Sequence, residues 1–196
     1  MGWPEAITLR GASVVLEPLA HAHHDDLVAA VRDGELWEIW YTSVPSSGEM
    51  TAEIDRRLQL QSQGSMLPFT IIESASGKAV GMTTYCNIDA PNRRLEIGYT
   101  FYRKRVQRTG CNTEAKLLLL THAFETLDCI AVEFRTSALN RRSQTAIERL
   151  GARLDGILRS HGHHRNGTLR DTYVYSITAT EWPAVHAGLR HKLNQP

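Results

Sequence analysis

The spacing of apolar residues changes period along the chain, and each change predicts an element. Ile7–Arg10 and Ser13–Glu17 alternate around a Gly11-Ala12 turn and predict two short strands. From His21 to Arg32 the spacing becomes helical, with Leu27, Val28 and Val31 inward and Asp25 and Asp26 in the first turns, where acids suit the helix dipole. An aromatic segment, Trp37–Tyr41, and a Pro-Ser-Ser-Gly loop lead to a second amphipathic helix over Thr51–Gln63. Its Ile54, Leu58 and Leu60 lie roughly to one side.

Strand signals then dominate. Pro68–Glu73 and Ala79–Asn87 flank the turn Ser76-Gly77-Lys78 and predict a hairpin, and Leu95–Tyr102 follows after Asp89–Arg93. Thr113–Leu127 is apolar around most of a helix circumference and predicts a buried helix. Ile130–Thr136 is a strand, and Asn140–Leu150 a helix that Gly151 terminates. Ala152–Arg159 and Thr172–Ile177 form a hairpin around the turn at 161–167, and Glu181–Leu193 closes the chain as a helix. No linker, repeat or low-complexity tract interrupts this order, which predicts one domain over residues 1–196.

The segment between Tyr102 and Thr113 carries the chemistry. It holds Arg103, Lys104, Arg105 and Arg108, with Gly110 close to the start of the buried helix. Unpaired N–H groups and the positive dipole end make a helix start an anion site. Strand, basic glycine-bearing loop and buried helix together suggest a pyrophosphate cradle; a plain turn is the alternative. No Gly-Lys-Ser/Thr follows Gly110, which excludes a P-loop. The loop lacks repeated glycines and the chain does not open with a βαβ unit, which excludes a dinucleotide fingerprint.

Val106–Ala115 resembles the acyl-CoA signature of the GNAT acetyltransferase superfamily, Gln/Arg-x-x-Gly-x-Gly/Ala. Gln107, Gly110 and Asn112 stand at its three fixed positions, Asn112 in place of the usual small residue. Arg135–Ala152, with Asn140, Ser143 and Leu150-Gly151-Ala152, resembles the Asn-x-x-Ser…Leu-Gly-Ala/Phe segment of the Rim-type ribosomal-protein N-acetyltransferases. Gly167–Ile177 resembles the closing hairpin of that branch. The resemblance runs from about Ile7 to Pro183. It implies an α/β (α+β) fold: a single mixed, mostly antiparallel twisted sheet of about seven strands with a splayed central wedge, flanked by helices. The implied activity is acetyl transfer from acetyl-CoA to a primary amine, with no metal; the alternative is an acyl-CoA-binding sensor without turnover.

The resemblance also assigns residues. Backbone of Tyr99, Thr100 and Phe101 pairs with the pantetheine arm, by the logic of strand addition to an opened sheet edge beside Gly98. Gln107, Arg108, Thr109, Gly110, Cys111, Asn112 and Thr113 hold the pyrophosphate. Asn140 contacts the arm, although capping a helix is a sufficient reason for it; Ser143 lies near the arm or the thioester sulfur. Glu96 is the candidate general base, or else a surface carboxylate beside Arg93 and Arg94. Backbone N–H near Tyr99 would hold the oxyanion, worth about 3–4 kcal/mol per aligned donor. Ser143 or Tyr173 would return a proton to the thiolate. Trp37, Trp40, Tyr41 and Tyr85 are candidates for the acceptor pocket, with core packing as the alternative.

Bulk properties narrow the partners. At 196 residues and net charge +1 the chain offers no general polyanion-binding field, so nucleic acid is not the expected partner; the resemblance implies a small-molecule amine or a protein N-terminus as acceptor. No run approaches the roughly 20 apolar residues of a membrane span, and no secretion signal follows Met1. Cys86, Cys111 and Cys129 form no CxxC pair, which fits a reduced, cytoplasmic setting; a monomer or homodimer is expected. Cys111 at a helix start is a candidate for a lowered pKa, or simply a small packing residue. His161, His163 and His164 lack a second ligand group at a metal-binding spacing and predict a solvated turn near the acceptor.

Overall fold

A computed structural model describes residues 3–195; Met1, Gly2 and Pro196, the ends of the predicted domain, lie outside the described residues. Eight strands form one sheet: β1 (Leu9–Arg10), β2 (Val14–Pro18), β3 (Met66–Glu73), β4 (Lys78–Asp89), β5 (Arg94–Tyr102), β6 (Ala131–Ser137), β7 (Arg153–His163) and β8 (Leu169–Thr178). Their spatial order is β1-β2-β3-β4-β5-β6-β8-β7, and only β5 and β6 run parallel. The helices are α1 (His24–Arg32), α2 (Met50–Ser62), α3 (Cys111–Thr121), α4 (Arg141–Leu150) and α5 (Trp182–Leu193).

Two apolar layers sandwich the sheet. Leu27, Val31, Met50 and Ile54 of α1 and α2 meet Ala79, Met82 and Phe101 on one face. Ala115, Leu119, Leu120, Ile147, Leu150 and Leu189 of α3, α4 and α5 meet Tyr85, Leu95, Ile97, Val132, Phe134, Tyr175 and Ile177 on the other. Burial of each such side chain contributes about 1.5–3 kcal/mol. Coverage on both faces explains why β4 is buried at every position from Ala79 to Cys86, without the alternation of a half-exposed strand.

The parallel pair positions the site. β5 and β6 are bonded only where Arg94–Glu96 meets Ala131–Glu133. Beyond Glu96 they part, because β5 carries a bulge: Thr83 of β4 faces both Tyr99 and Thr100, and Tyr99 takes a left-handed φ of 48°. β6 meanwhile stays paired with β8 as far as Ser137. The expected wedge is therefore present, with one open backbone edge on each strand.

Some boundaries differ from the sequence pattern. α3 begins at Cys111, and at His122 it widens into a π-helical turn to Thr126 that turns His122, Ala123 and Phe124 inward in succession. β7 extends to His163, and the turn predicted at 161–167 shortens accordingly. No helix among the described residues is long and apolar enough to cross a membrane.

Candidate active site

The loop from Arg103 to Gly110 is more internally tied than its charge suggests. Arg103 pairs with Asp33 at 3.0 Å and Arg105 chelates Glu73 at 2.8 and 2.5 Å, leaving Lys104 and Arg108 without an ion pair among the described residues. Gln107 donates its side-chain N–H to the Tyr102 carbonyl at 2.9 Å and its backbone N–H to Lys104, so it braces the loop. Thr109 caps α3: its hydroxyl accepts from the Cys111 N–H at 3.2 Å and donates to the Val106 carbonyl at 2.7 Å. The N–H groups of Arg108, Thr109, Gly110, Asn112 and Thr113 find no partner among the described residues.

Gly110 has an ordinary helical φ of −64°, and a Cβ there would meet only the Leu193 side chain at 3.5 Å. Nothing inside the protein requires a glycine; the missing side chain clears the outer side of the loop. A row of free N–H groups at a helix start, an uncommitted Arg108 and bare backbone fit a pyrophosphate. Cys111 departs from the expectation of a lowered pKa. Burial pushes its thiol up to about 11, with Glu73 and Glu114 adding to the rise, so it stays protonated at neutral pH. Glu114 ties α3 to the β1–β2 turn, accepting from the N–H groups of Ala12 (2.5 Å) and Ser13 (2.9 Å). A Cβ on Gly11 would lie 2.6 Å from that carboxylate, so a larger residue in the turn would have to displace the Glu114 side chain.

On the face covered by α1 and α2, Glu96 is 7% exposed and folds back along its own strand, so that a Cβ on Gly98 would lie 2.9 Å from its Oε1. The expectation of a surface carboxylate beside Arg93 and Arg94 does not hold: Arg93 pairs with Asp128, and Arg94 with Glu133 at 2.6 Å. Asn87 donates to Glu96 at 2.6 Å and Arg135 lies 3.5 Å away. Burial raises the Glu96 pKa above the ordinary carboxylate value, against the lowering influence of Asn87, Arg135 and Arg170; Glu133 adds to the rise. Cys86 lies beside it, its thiol driven far up by burial and then by the Glu96 charge.

Two buried cations bracket the bulge, and neither is legible in the hydrophobic pattern. Arg57 of α2, 1% exposed, pairs with Glu53 at 2.7 Å and donates to the Thr84 hydroxyl at 2.8 Å and the Tyr99 carbonyl at 3.2 Å. Its guanidinium, with that of Arg56, also lies over the Tyr99 ring. From the opposite face, Lys116 of α3 donates to the hydroxyls of Thr83 (2.9 Å) and Thr100 (2.8 Å). It has no ion pair among the described residues, and burial lowers its pKa to about 7. Phe101 packs into the α1–α2 core.

Asn140 caps α4, its Oδ1 accepting from the Ser143 N–H at 3.1 Å; its side-chain NH₂ has no partner among the described residues. The Ser143 hydroxyl is likewise uncommitted. Tyr173 sits on β8 opposite Thr136, on the face that α4 covers. Tyr85 corrects the acceptor-pocket expectation. It is fully buried on the α3 face, donating its hydroxyl to the Leu119 carbonyl at 2.6 Å and stacking near His122, because it points the same way as Thr83 two residues before it, which Lys116 of α3 contacts.

Trp37 packs against the α1–α2 core. Trp40 is 43% exposed and meets Tyr41 and His164 edge-on, with ring centroids at 5.6 and 5.1 Å. His164 is buried, not solvated as its turn predicted, because the β7–β8 hairpin reaches this aromatic segment. Arg165 of the same turn lies 3.9 Å from Glu49. The hairpin and the segment after α1 thus meet over the face that holds Glu96.

Comparison with known proteins bears on the family and the fold. The family model for the acetyltransferase (GNAT) domain matches residues 13–153. The Bacillus subtilis protein YdaF, provisionally named a ribosomal N-acetyltransferase, is 35% identical over 106 residues, 54% of this chain and 57% of YdaF; the match thus spans little more than half of that relative. A crystal structure of a GCN5-related N-acetyltransferase from Brucella melitensis superposes with a TM-score of 0.88 at 32% identity, covering 97% of this chain and 86% of that one. An acetyltransferase structure from T. thermophilus gives 0.84 at 32%, covering 97% and 99%. The chain belongs to the GNAT acetyltransferase family, whose donor is acetyl-CoA.

Proposed function

We propose that this protein transfers the acetyl group of acetyl-CoA to the α-amine of a protein N-terminus, with Glu96 as general base. The observation that carries the reading is Glu96 itself: a buried carboxylate of raised pKa lying over Gly98, at the start of the open wedge. An amine is largely protonated at neutral pH and must lose a proton before it can attack, and a carboxylate of raised pKa suits that task. Bound acetyl-CoA supplies the thioester carbonyl that the amine attacks.

The remaining residues bind and orient. The free N–H groups of Arg108, Thr109, Gly110, Asn112 and Thr113 and the Arg108 side chain hold the pyrophosphate; the open edge of β5 from Gly98 to Phe101 and the Asn140 amide hold the arm. Arg57 fixes the Tyr99 carbonyl and with it the bulge. Ser143, its hydroxyl uncommitted in the first turn of α4, returns a proton to the departing sulfur, with Tyr173 as the second group on that face. Trp40 and Tyr41 line the acceptor side under the β7–β8 hairpin. A protein N-terminus is favoured over a small amine by the likeness to YdaF.

The test is a substrate panel followed by thiol release and mass spectrometry. It comprises short peptides with free N-termini, the same peptides blocked at the N-terminus but bearing lysine, free amino acids and polyamines. The reading predicts acetylation of free N-termini. Transfer confined to lysine side chains or polyamines contradicts it, and tight CoA binding without thiol release with any amine would favour a sensor.

A further inference from the structure

Arg170 is the cation on the acceptor face that the fold leaves unsatisfied. Arg57 is paired with Glu53, Arg94 with Glu133, and Arg135 with Glu133 and Glu96. Arg170 has no ion pair among the described residues, and its Nε is buried without a hydrogen-bond partner. A desolvated guanidinium N–H is rarely left unpaired, because nothing offsets the water it gave up.

The register fixes where this side chain lies. Thr172 and Val174 of β8 stand opposite Ser137 and Arg135 of β6, on the face where Arg135 approaches Glu96. Arg170 continues that row by two residues, past the end of β6, and its charge reaches Glu96. It therefore belongs to the face that the β7–β8 hairpin and Trp40 roof over.

The roof has the same sign. From Arg159 to Asp171 it carries Arg159, Arg165 and Arg170 against the single acid Asp171. Asp171 is itself occupied, accepting from the Ser160 N–H at 2.7 Å. With Arg165 facing Glu49 at 3.9 Å, Arg159 and Arg170 are the arginines of this hairpin without an ion pair among the described residues.

We infer that Arg170 is a specificity-determining residue that accepts a carboxylate of the acceptor, so that the preferred substrate is an N-terminus followed within its first few residues by Asp or Glu. The inference rests on the N-terminal reading above. Planar two-pronged recognition of a carboxylate is what a guanidinium with free donors offers and an ammonium does not.

The experiment compares kcat/KM for two peptides that differ only at positions two to four, Asp and Glu in one and Asn and Gln in the other. Wild type and Arg170→Gln are both measured, with CoA affinity and melting temperature as controls. The wild type should prefer the acidic peptide by about 10-fold, through KM, with a preference that shrinks as salt is raised. In Arg170→Gln the ratio should fall toward one with CoA affinity retained. Equal use of the two peptides by the wild type, or an unchanged ratio in the variant, overturns the assignment. The wild-type ratio needs no variant, so the inference stays refutable even if Arg170→Gln does not fold. If no peptide is acetylated but small amines are, the N-terminal reading fails instead. The ratio for an amino dicarboxylic acid over its diamide, in wild type and variant, then decides Arg170 by itself.

Discussion

Glu96 and Lys116 flank the same stretch of β5 from opposite faces, and burial moves both away from their usual charge. For Lys116 the cost is plain, since two threonine hydroxyls replace the carboxylate a buried ammonium normally has. Its pKa falls from the ordinary lysine value to about 7, so the unfolded chain binds more protons between pH 7 and about 10. Stability contributed at this site therefore rises with pH through that window. Lys116→Met, which leaves Thr83 and Thr100 bonded to each other at 2.9 Å, should melt at a higher temperature than wild type at pH 7. That advantage should narrow toward pH 10. Thermal melts of both proteins across this range check it; a variant less stable at pH 7, with no pH-dependent difference, would show that the lysine is better satisfied than its contacts indicate.

At the scale of elements, the loop and helix start proposed as the cradle were legible because they are local. A basic stretch, a glycine and an apolar helix follow one another in the chain, and helix-start chemistry needs no distant partner. What escaped the sequence was the internal use of that charge, because Asp33 and Glu73 reach Arg103 and Arg105 from far along the chain. Gly110→Val tests the division between bracing and binding. The substitution meets ordinary van der Waals space inside the protein and an unstrained φ, so the melting temperature should stay near that of wild type. On the ligand side it puts a branched side chain where phosphate must meet backbone, and calorimetry should show a CoA Kd at least about 10-fold weaker. Unchanged affinity in the folded variant would place the pyrophosphate elsewhere.

At the scale of the whole molecule, the order of strands and helices followed from hydrophobic period, and the wedge from the family resemblance. Long-range polar contacts did not follow. Arg57 occupies a position that the α2 pattern reads as polar, yet it is sealed by Glu53, Thr84 and the Tyr99 carbonyl. His164 is buried only because a hairpin from the far end of the sheet crosses to Trp40. Tyr85 misled because aromatic content alone does not say which face of a doubly covered strand a residue takes. The proposed acceptor side draws on α2, β5, β6, β8 and the segment after α1, so no single window of sequence contains it.

The central claim, that Glu96 removes the proton of the attacking amine, is tested most directly by the pH dependence of kcat in wild type and Glu96→Gln. Asn87 and Cys86 on β4, Arg135 and Glu133 on β6 and Arg170 on β8 surround this carboxylate, with burial the dominant influence on it. The wild-type rate should rise with pH through one ionisation lying above the ordinary carboxylate range. Glu96→Gln keeps the shape and removes the basicity; it should lower kcat by roughly 100-fold, lose that ionisation and keep the CoA Kd. Full kcat with the same pH profile in Glu96→Gln would contradict the account and place the base elsewhere.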